Sequence, residues 1–137
     1  MCSINWRSEV VRLINNLKTV LVVDDVPDNQ ALMVALVKSF GYSVVTADNG
    51  REGIAKFTEF HPDLILMDIM MPVMDGIEAT KIIRTSDLEQ VPIIALTAFH
   101  DNYHREALEA GCNGVIPKPI NFDDLRSVLD QYLQNKS

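Results

Sequence analysis

Two short apolar runs in this chain end on carboxylates. Asp24 and Asp25 follow the run TVLVV, and Asp68 follows LILM within the stretch LILMDIMMPVMDG. If both runs are neighbouring parallel strands, their carboxyl ends open into one crevice, and the three carboxylates come together there. Crowded carboxylates repel one another when ionised, and a hard divalent cation with oxygen ligands, such as Mg2+, relieves that repulsion. Asp24, Asp25 and Asp68 are therefore candidate Mg2+ ligands.

Two other polar side chains are expected at the same end of the sheet. Thr97 ends the predicted strand PIIAL, and Lys118 lies in the stretch PKP after a further strand. A metal ion, an ammonium group and a hydroxyl together suit the oxygens of a phosphoryl group in transfer. A carboxylate can be the nucleophile of such a transfer and form an aspartyl phosphate. Asp68, in the middle of the crevice, is the candidate nucleophile.

Each of these residues also has an ordinary structural explanation. Asp24 and Asp25 would fit a turn that precedes a helix. Lys118 alone would be a solvated surface lysine, and Thr97 a strand-end hydroxyl. The expected placement of all of them at four strand ends is what favours a site over these separate explanations.

The elements that must position these residues are visible as an alternation of apolar runs and helical patterns. The predicted strands are 19–23, 43–47, 64–67, 92–96 and 114–116, and the predicted helices are 28–40, 52–60, 76–84, 102–110 and 122–133. Asp28, Asp75 and Asn121 are predicted helix N-caps, Gly41 and Gly111 are predicted helix ends, and Asn49-Gly50 is a predicted turn. Asp75 is given no chemistry.

Continuous apolar strands between helices indicate a parallel sheet that is covered on both faces. Right-handed crossovers leave few arrangements. We predict an α/β fold with a doubly wound, five-stranded parallel sheet of the flavodoxin-like (β/α)5 type, in the strand order 2-1-3-4-5. Ligands of such sheets bind beyond the carboxyl ends of the strands, where the strand order reverses.

Length and charge limit the classes of function. The chain has 137 residues and a net charge of -7, which fits one domain and argues against nonspecific nucleic-acid binding or an anionic membrane surface as partner. No signal-peptide core or membrane-length apolar run is present, so the predicted location is cytoplasmic. We predict an amphipathic N-terminal extension at 1–18, a domain at 19–134 and a tail at 135–137. The apolar face of the extension comprises Trp6, Val10, Leu13, Ile14 and Leu17.

Four ordered motifs resemble the receiver domain of two-component response regulators. They are VVDD at 22–25, LMDIMMPVMDG at 66–76, ALTA at 95–98 and PKP at 117–119. The resemblance extends over about residues 19–133. It implies that Asp68 accepts a phosphoryl group from a phosphohistidine on a sensor histidine kinase or a histidine phosphotransfer protein.

The resemblance also implies the roles of the surrounding residues. Asp25 and Asp68 would bind Mg2+ together with the main-chain carbonyl of Met70, with help from Asp24. Thr97 and Lys118 would hold the phosphoryl oxygens, and the bond between Lys118 and Pro119 would be cis.

One position departs from the family pattern. Val115 occupies the place, three residues before the lysine, where receivers commonly have Tyr or Phe. In the family this aromatic residue moves together with the threonine on activation, so Val115 is a predicted modulator, together with Met70 and Phe99. Two apolar residues flank the candidate nucleophile and threonine, because Met70 follows Asp68 by two residues and Phe99 follows Thr97 by two. Since neither can orient a water molecule, we expect both to slow self-dephosphorylation.

The first helix is expected to offer a docking surface. Leu32, Leu36 and Phe40 form one stripe at helical spacing, which is the predicted core face. Val34 and Val37 would then be exposed beside the crevice, where a kinase or phosphotransfer protein could dock.

These inferences favour a single-domain response regulator that signals through a downstream protein or passes its phosphoryl group onward. It would be a signalling domain rather than an enzyme, with only self-catalysed phosphotransfer and slow self-dephosphorylation. An aspartyl-nucleophile phosphohydrolase is an alternative, although haloacid-dehalogenase-type enzymes have an acid where this chain has Met70. A receiver-like module that acts without phosphorylation is a second alternative, although the complete set of acids argues against it. A flavin carrier is disfavoured because the loop DDVPDN would repel a phosphate.

Overall fold

The computed structural model of the protein describes residue 7 and residues 17–86, 90–98 and 103–134. In this part of the chain, five strands alternate with five helices. The strands are β1 (Thr19–Val23), β2 (Ser43–Ala47), β3 (Leu64–Asp68), β4 (Ile93–Ala98) and β5 (Gly114–Lys118). The helices are α1 (Pro27–Ser39), α2 (Gly50–Phe60), α3 (Gly76–Ser86), α4 (Tyr103–Ala110) and α5 (Phe122–Leu133).

The strands form one sheet in the order β2-β1-β3-β4-β5, and all neighbouring strands are parallel. The predicted fold class and strand order are confirmed. The order reverses between β1 and β3, so the carboxyl ends of these two strands border the crevice in which such sheets bind ligands.

Each face of the sheet packs against its own group of helices. On one face, Val20, Val22, Leu64 and Leu66 of the sheet pack with helices α1 and α5. On the other face, alternate residues of the same strands pack with α2, α3 and α4. Strand β3 is buried along its whole length, as expected of a central strand covered on both sides. It therefore holds Asp68 on a rigid support.

Two helix starts differ from the predictions. Asn49 is the N-cap of α2, and its side chain accepts a hydrogen bond from the amide of Glu52, so the predicted turn at Asn49-Gly50 is instead a helix start. Helix α1 begins at Pro27 with Val26 as N-cap, so the predicted cap at Asp28 was wrong. Proline suits the first helical position because its fixed φ is helical and its missing N–H has no partner there.

The predicted faces of α1 were wrong in part. Leu36 and Phe40 of the predicted core face do pack against the core, but Leu32 and Val37 do not lie where they were predicted. Val37 is fully buried and Met33 is 3% exposed, whereas Leu32 is 58% exposed. Val34 is half-buried. Residues four apart lie on one face of a helix, and the face that meets α5 and the sheet is that of Met33 and Val37. Val37 therefore cannot serve as an exposed docking residue.

The predicted extension at 1–18 lies outside the described residues except for residues 7, 17 and 18, and the predicted tail at 135–137 lies outside them altogether. Their boundaries stay predictions. Among the described residues, no helix has the length and apolar character needed to cross a membrane.

Candidate functional site

The carboxyl ends of β1 and β3 bring three carboxylates together. Asp24, Asp25 and Asp68 each have an oxygen within 4.8 Å of the other two. Asp24 is 1% exposed and Asp68 is 4% exposed, whereas Asp25 is half-buried. The sequence therefore predicted this grouping correctly from the fold alone, although Asp68 lies 43 positions after Asp25 in the printed chain.

The carboxylate of Asp24 is oriented by the start of α1. Its Oδ1 accepts a hydrogen bond of 2.9 Å from the amide of Val26. Its Oδ2 is buried and has no hydrogen-bond partner among the described residues. A buried carboxylate oxygen without a donor is costly, and a cation beside it would remove that cost. Together with the neighbouring carboxylates, this oxygen fits a Mg2+ ion.

Asp68 has one cationic and one neutral partner. Lys118 Nζ lies 3.0 Å from Asp68 Oδ2 and donates a hydrogen bond to it, while the amide of Met70 donates to Oδ1 at 3.3 Å. Burial raises the pKa of Asp68 above its ordinary value, since desolvation outweighs the lowering effect of Lys118, and the nearby Asp24 raises it further. The ionised form of a carboxylate in these surroundings is disfavoured, and a bound cation would stabilise it.

The loop after β3 approaches Asp68 closely because Gly76 opens helix α3. A Cβ at Gly76 would lie 2.2 Å from the main-chain oxygen of Asp68, which no side chain could accommodate. The amide of Gly76 donates to the carbonyl of Ile69 at 2.9 Å, and Asp75 Oδ1 accepts from the amide of Glu78 at 2.8 Å. The predicted capping role of Asp75 is confirmed.

The remaining polar residues lie at the ends of β4 and β5. Thr97 is 5% exposed, and its Cα is in register with Pro117. Lys118 ends β5 and is followed by a cis peptide bond to Pro119, as the family resemblance implied. Lys118 thus reaches Asp68 directly, while Thr97 lies at the same end of the sheet, and its contact with a phosphoryl oxygen stays a prediction.

The three predicted modulators have different surroundings. The Met70 side chain is 57% exposed, so it lies at the open side of the site. Val115 is half-buried against the helices on the second face of the sheet and pairs with Ala95. Phe99 lies outside the described residues.

A groove of about 750 Å³ leads away from the carboxylates between α1 and the segment that follows β5. Its polar end is formed by Asp24 and Lys118. Its apolar lining comprises Leu32, Met33 and Leu36 of α1, Leu96 and Ala98 of β4, and Pro119 and Ile120. The apolar residue that α1 exposes beside the site is therefore Leu32, not Val37.

Sequence reasoning missed Gln30. Its side-chain amide lies 2.9 Å from the carbonyl oxygen of Asp24, 3.0 Å from that of Ala47 and 3.0 Å from Asp48 Oδ1. A glutamine in the first turn of a helix carries no sequence signal for such a role, because two of its three partners, at Ala47 and Asp48, come from a segment distant in the chain.

Residues 20–130 match the response regulator receiver domain family. The chain belongs to this family. It is a phosphoacceptor signalling module, and not an enzyme in the usual sense.

Relatives of this receiver domain include a response regulator of similar length. The polar-differentiation response regulator DivK of Brucella anthropi is 36% identical over 118 residues, which make up 85% of this chain and 96% of that protein.

Two solved structures have the same architecture at 34% identity. The receiver domain of sensor histidine kinase PA1611 from Pseudomonas aeruginosa PAO1, which has a magnesium ion coordinated in its active-site cleft, gives a TM-score of 0.80 over 87% of this chain and 99% of that one. A chain from the co-crystal structure of the Saccharomyces cerevisiae histidine phosphotransfer signaling protein Ypd1 with the receiver domain of Ssk1 gives 0.76, over 85% of this chain and 88% of that one.

Proposed function

We propose that Asp68 accepts a phosphoryl group from a phosphohistidine on a histidine kinase or histidine phosphotransfer protein, in a Mg2+-dependent reaction. The observation that carries the proposal is the surroundings of Asp68. Its buried carboxylate lies 3.0 Å from Lys118 Nζ and within 4.8 Å of the Asp24 and Asp25 carboxylates.

In this reaction, an oxygen of Asp68 forms a bond to phosphorus as the bond between phosphorus and the imidazole nitrogen of the donor breaks. The electron pair of the broken bond returns to the imidazole. Lys118, freed from its ion pair with the carboxylate, and Thr97 then hold the phosphoryl oxygens. Such donors stabilise the negative charge of the phosphoryl oxygens.

Asp24, Asp25 and Asp68 would hold Mg2+, with the main-chain carbonyl of Met70 as the further protein ligand. The ion would supply positive charge to offset that of the phosphoryl oxygens. The Oδ2 of Asp24, which has no hydrogen-bond partner within the described part of the chain, supports this assignment, as does the magnesium ion in the related PA1611 receiver.

The direct test is phosphorylation by acetyl phosphate in the presence of Mg2+, followed by intact-protein mass spectrometry. The wild-type protein should gain the mass of one phosphoryl group, and Asp68→Asn should not. Asp75→Asn is the matched control, since Asp75 lies on the same loop but accepts an amide hydrogen bond at a helix start. Incorporation that persists in Asp68→Asn would refute the assignment. Incorporation into the wild-type protein that is undiminished when Mg2+ is chelated would refute the dependence on Mg2+.

The donor's contact surface is proposed to include the exposed side chain of Leu32, at the edge of the groove that starts at Asp24 and Lys118. Leu32→Asp should slow transfer from a phosphorylated histidine phosphotransfer protein while leaving the reaction with acetyl phosphate unchanged. Leu108→Asp, on α4 at 43% exposure, is the control and should not slow either reaction. Equal effects of the two variants would contradict the assignment.

The lifetime of the aspartyl phosphate is proposed to depend on Met70. Its exposed side chain at the open side of the site has no group that could align a water molecule for attack. Met70→Asn should therefore shorten the half-life of the phosphorylated protein, as measured by mass spectrometry after removal of the donor. An unchanged half-life would exclude a shielding role.

A further inference from the structure

Gln30 connects the acidic site to the next loop of the protein. It lies in the first turn of α1, where its backbone amide donates to the carbonyl of Val26 at 2.9 Å. Its side-chain nitrogen lies within 3.0 Å of three oxygens, those of the main chain at Asp24 and Ala47 and the Oδ1 of Asp48. All three neighbours are acceptors, so the two N–H groups of the amide face them and one N–H is shared between two oxygens.

The oxygens that Gln30 holds belong to two separate segments. Asp24 begins the loop between β1 and α1, whereas Ala47 ends β2 and Asp48 follows it. The segments are already joined by a hydrogen bond of 3.1 Å from the amide of Asp24 to the carbonyl of Ala47. Gln30 adds a second connection on the other side of the Asp24 peptide, and the helix provides a rigid base for it.

This connection restrains Asp24, whose Oδ2 is available to a cation. The amide of Val26 holds Oδ1 of Asp24 at 2.9 Å, and Gln30 holds the Asp24 carbonyl at 2.9 Å. With backbone and carboxylate both restrained, Oδ2 is left buried, with no donor among the residues that the structure describes. Groups that orient the ligands of a metal ion strengthen binding because less freedom is lost when the ion arrives.

We propose that Gln30 is a positioning residue for the cation site, which it serves by orienting Asp24 through the main-chain carbonyl. The proposal rests on the proposed function of the three carboxylates as Mg2+ ligands. Gln30 itself touches neither the ion nor the phosphoryl group. Its loss should weaken Mg2+ binding without removing a ligand.

The test is calorimetric titration of the unphosphorylated full-length protein with MgCl2. Gln30→Met keeps the length of the side chain and removes its donors, and it should raise the Mg2+ dissociation constant about tenfold, the scale seen for residues that orient metal ligands. Gln30→Asn keeps an amide that is one methylene too short, and it should act in the same direction. Gln131→Met, on an exposed position of α5, is the matched control and should bind Mg2+ like the wild-type protein.

Two further readouts separate positioning from a general structural role. The Mg2+ concentration that half-saturates phosphorylation by acetyl phosphate should rise in Gln30→Met, while the rate at saturating Mg2+ should return to that of the wild-type protein. Hydrogen exchange at the amide of Asp24, which donates to Ala47, should become faster. A folded Gln30→Met protein with unchanged Mg2+ affinity would overturn the proposal, and so would a rate that stays below that of the wild-type protein at saturating Mg2+.

The calorimetric measurement does not depend on phosphorylation. A wild-type protein that binds Mg2+ but is not phosphorylated on Asp68 would contradict the proposed function and leave the test of Gln30 intact. A protein that is phosphorylated on Asp68, yet binds Mg2+ equally well with methionine in place of Gln30, would contradict only the positioning role.

Discussion

Carboxylate and amide side chains lie in two contrasting settings in this receiver domain, at helix starts and at strand ends. At the helix starts, Asn49, Asp75 and Asn121 each accept a hydrogen bond from a backbone amide. At the strand ends, Asp24 and Asp68 are buried, and Asp24 has an oxygen without a partner among the described residues. Capping side chains satisfy groups of the backbone and stabilise the fold, whereas crowded strand-end carboxylates oppose it until a ligand arrives.

The difference explains how residues of one type can serve opposite purposes within a few positions. Asp75 lies seven residues after Asp68 in the chain. Burial raises the pKa of Asp68, whereas Asp75 is exposed and accepts an amide hydrogen bond. Functional sites commonly give up stability in this way for a poised arrangement of charges. The contrast predicts that substitution of a capping side chain lowers the stability of the protein, whereas neutralising Asp68 raises it. It also predicts that stabilisation by Mg2+ depends on the strand-end carboxylates and not on the capping side chains.

The largest expected effect is stabilisation by Mg2+. An ion that binds only the folded state at 100 times its dissociation constant adds about 2.7 kcal/mol. Thermal unfolding of the wild-type protein should therefore shift upward when MgCl2 is added to a chelator-treated sample, and Asp24→Asn should reduce the shift. Asp75→Asn should shift like the wild-type protein. An equal shift in all three proteins would mean that the strand-end carboxylates do not form the site.

The next largest effect is expected at a helix start. The side chain of Asn121 accepts hydrogen bonds from the amides of Asp123 and Asp124, at 2.8 and 3.0 Å. Asn121→Ala should lower the free energy of unfolding by about 1 kcal/mol, the usual cost of a lost N-cap, as measured by urea denaturation. Asn121→Asp should keep the wild-type stability because Asp caps equally well. An Asn121→Ala protein as stable as the wild-type protein would show that the side chains at the helix starts contribute little to the free energy of unfolding.

Substitution of Asp68 should raise the free energy of unfolding, whereas substitution of the cap Asn121 lowers it. Because burial raises its pKa in the folded protein, the folded state keeps the proton to higher pH than the unfolded state does. Stability is then lost as pH rises from the ordinary range of an aspartate through the folded-state pKa, and the cost remains at neutral pH. Asp68→Asn removes the ionisation and should stabilise the magnesium-free protein at neutral pH, by about 1 kcal/mol as other active-site substitutions do.

The check is a series of thermal unfolding curves across pH in the presence of a chelator. The difference between Asp68→Asn and the wild-type protein should be smallest in acid and should grow toward neutral pH. An Asp68→Asn protein less stable than the wild-type protein at neutral pH would mean that the ion pair with Lys118 stabilises the fold by more than the burial of the ionised Asp68 costs.

The strand-end site was predictable because each acid directly follows an apolar run. The order of the strands then brings Asp24, Asp25 and Asp68 together without any local signal. The faces of α1 were not predictable in the same way, since this helix carries apolar residues around most of its circumference. Packing against the sheet and α5 decides that Val37 is buried and Leu32 exposed.

Gln30 shows a second limit of sequence reasoning. Its partner Asp48 lies 18 positions away, and the other two acceptors are main-chain carbonyls. No residue type identifies a main-chain acceptor in advance. Such contacts depend on the distance between two loops, which only the packed structure supplies.

Val73 offers a smaller test on the loop that joins the two settings. It has a φ of 70° and is 69% exposed, and a branched side chain in this left-handed region costs about 1 kcal/mol or more. Asn tolerates the conformation, so Val73→Asn should raise the free energy of unfolding by up to about 1 kcal/mol. Val73→Ala is the control, because it removes the apolar side chain but keeps the steric conflict of a Cβ, and urea denaturation compares the two.

If both variants are equally stable, the positive φ carries no strain that the side chain relieves. If only Val73→Asn gains stability, the loop between Asp68 and Asp75 stores energy, and the phosphorylation rate of the variant decides its purpose. An unchanged rate with acetyl phosphate would assign the strain to the geometry of the helix start at Asp75. A slower rate would assign it to the strand end at Asp68, whose amide partner Met70 lies three residues before Val73.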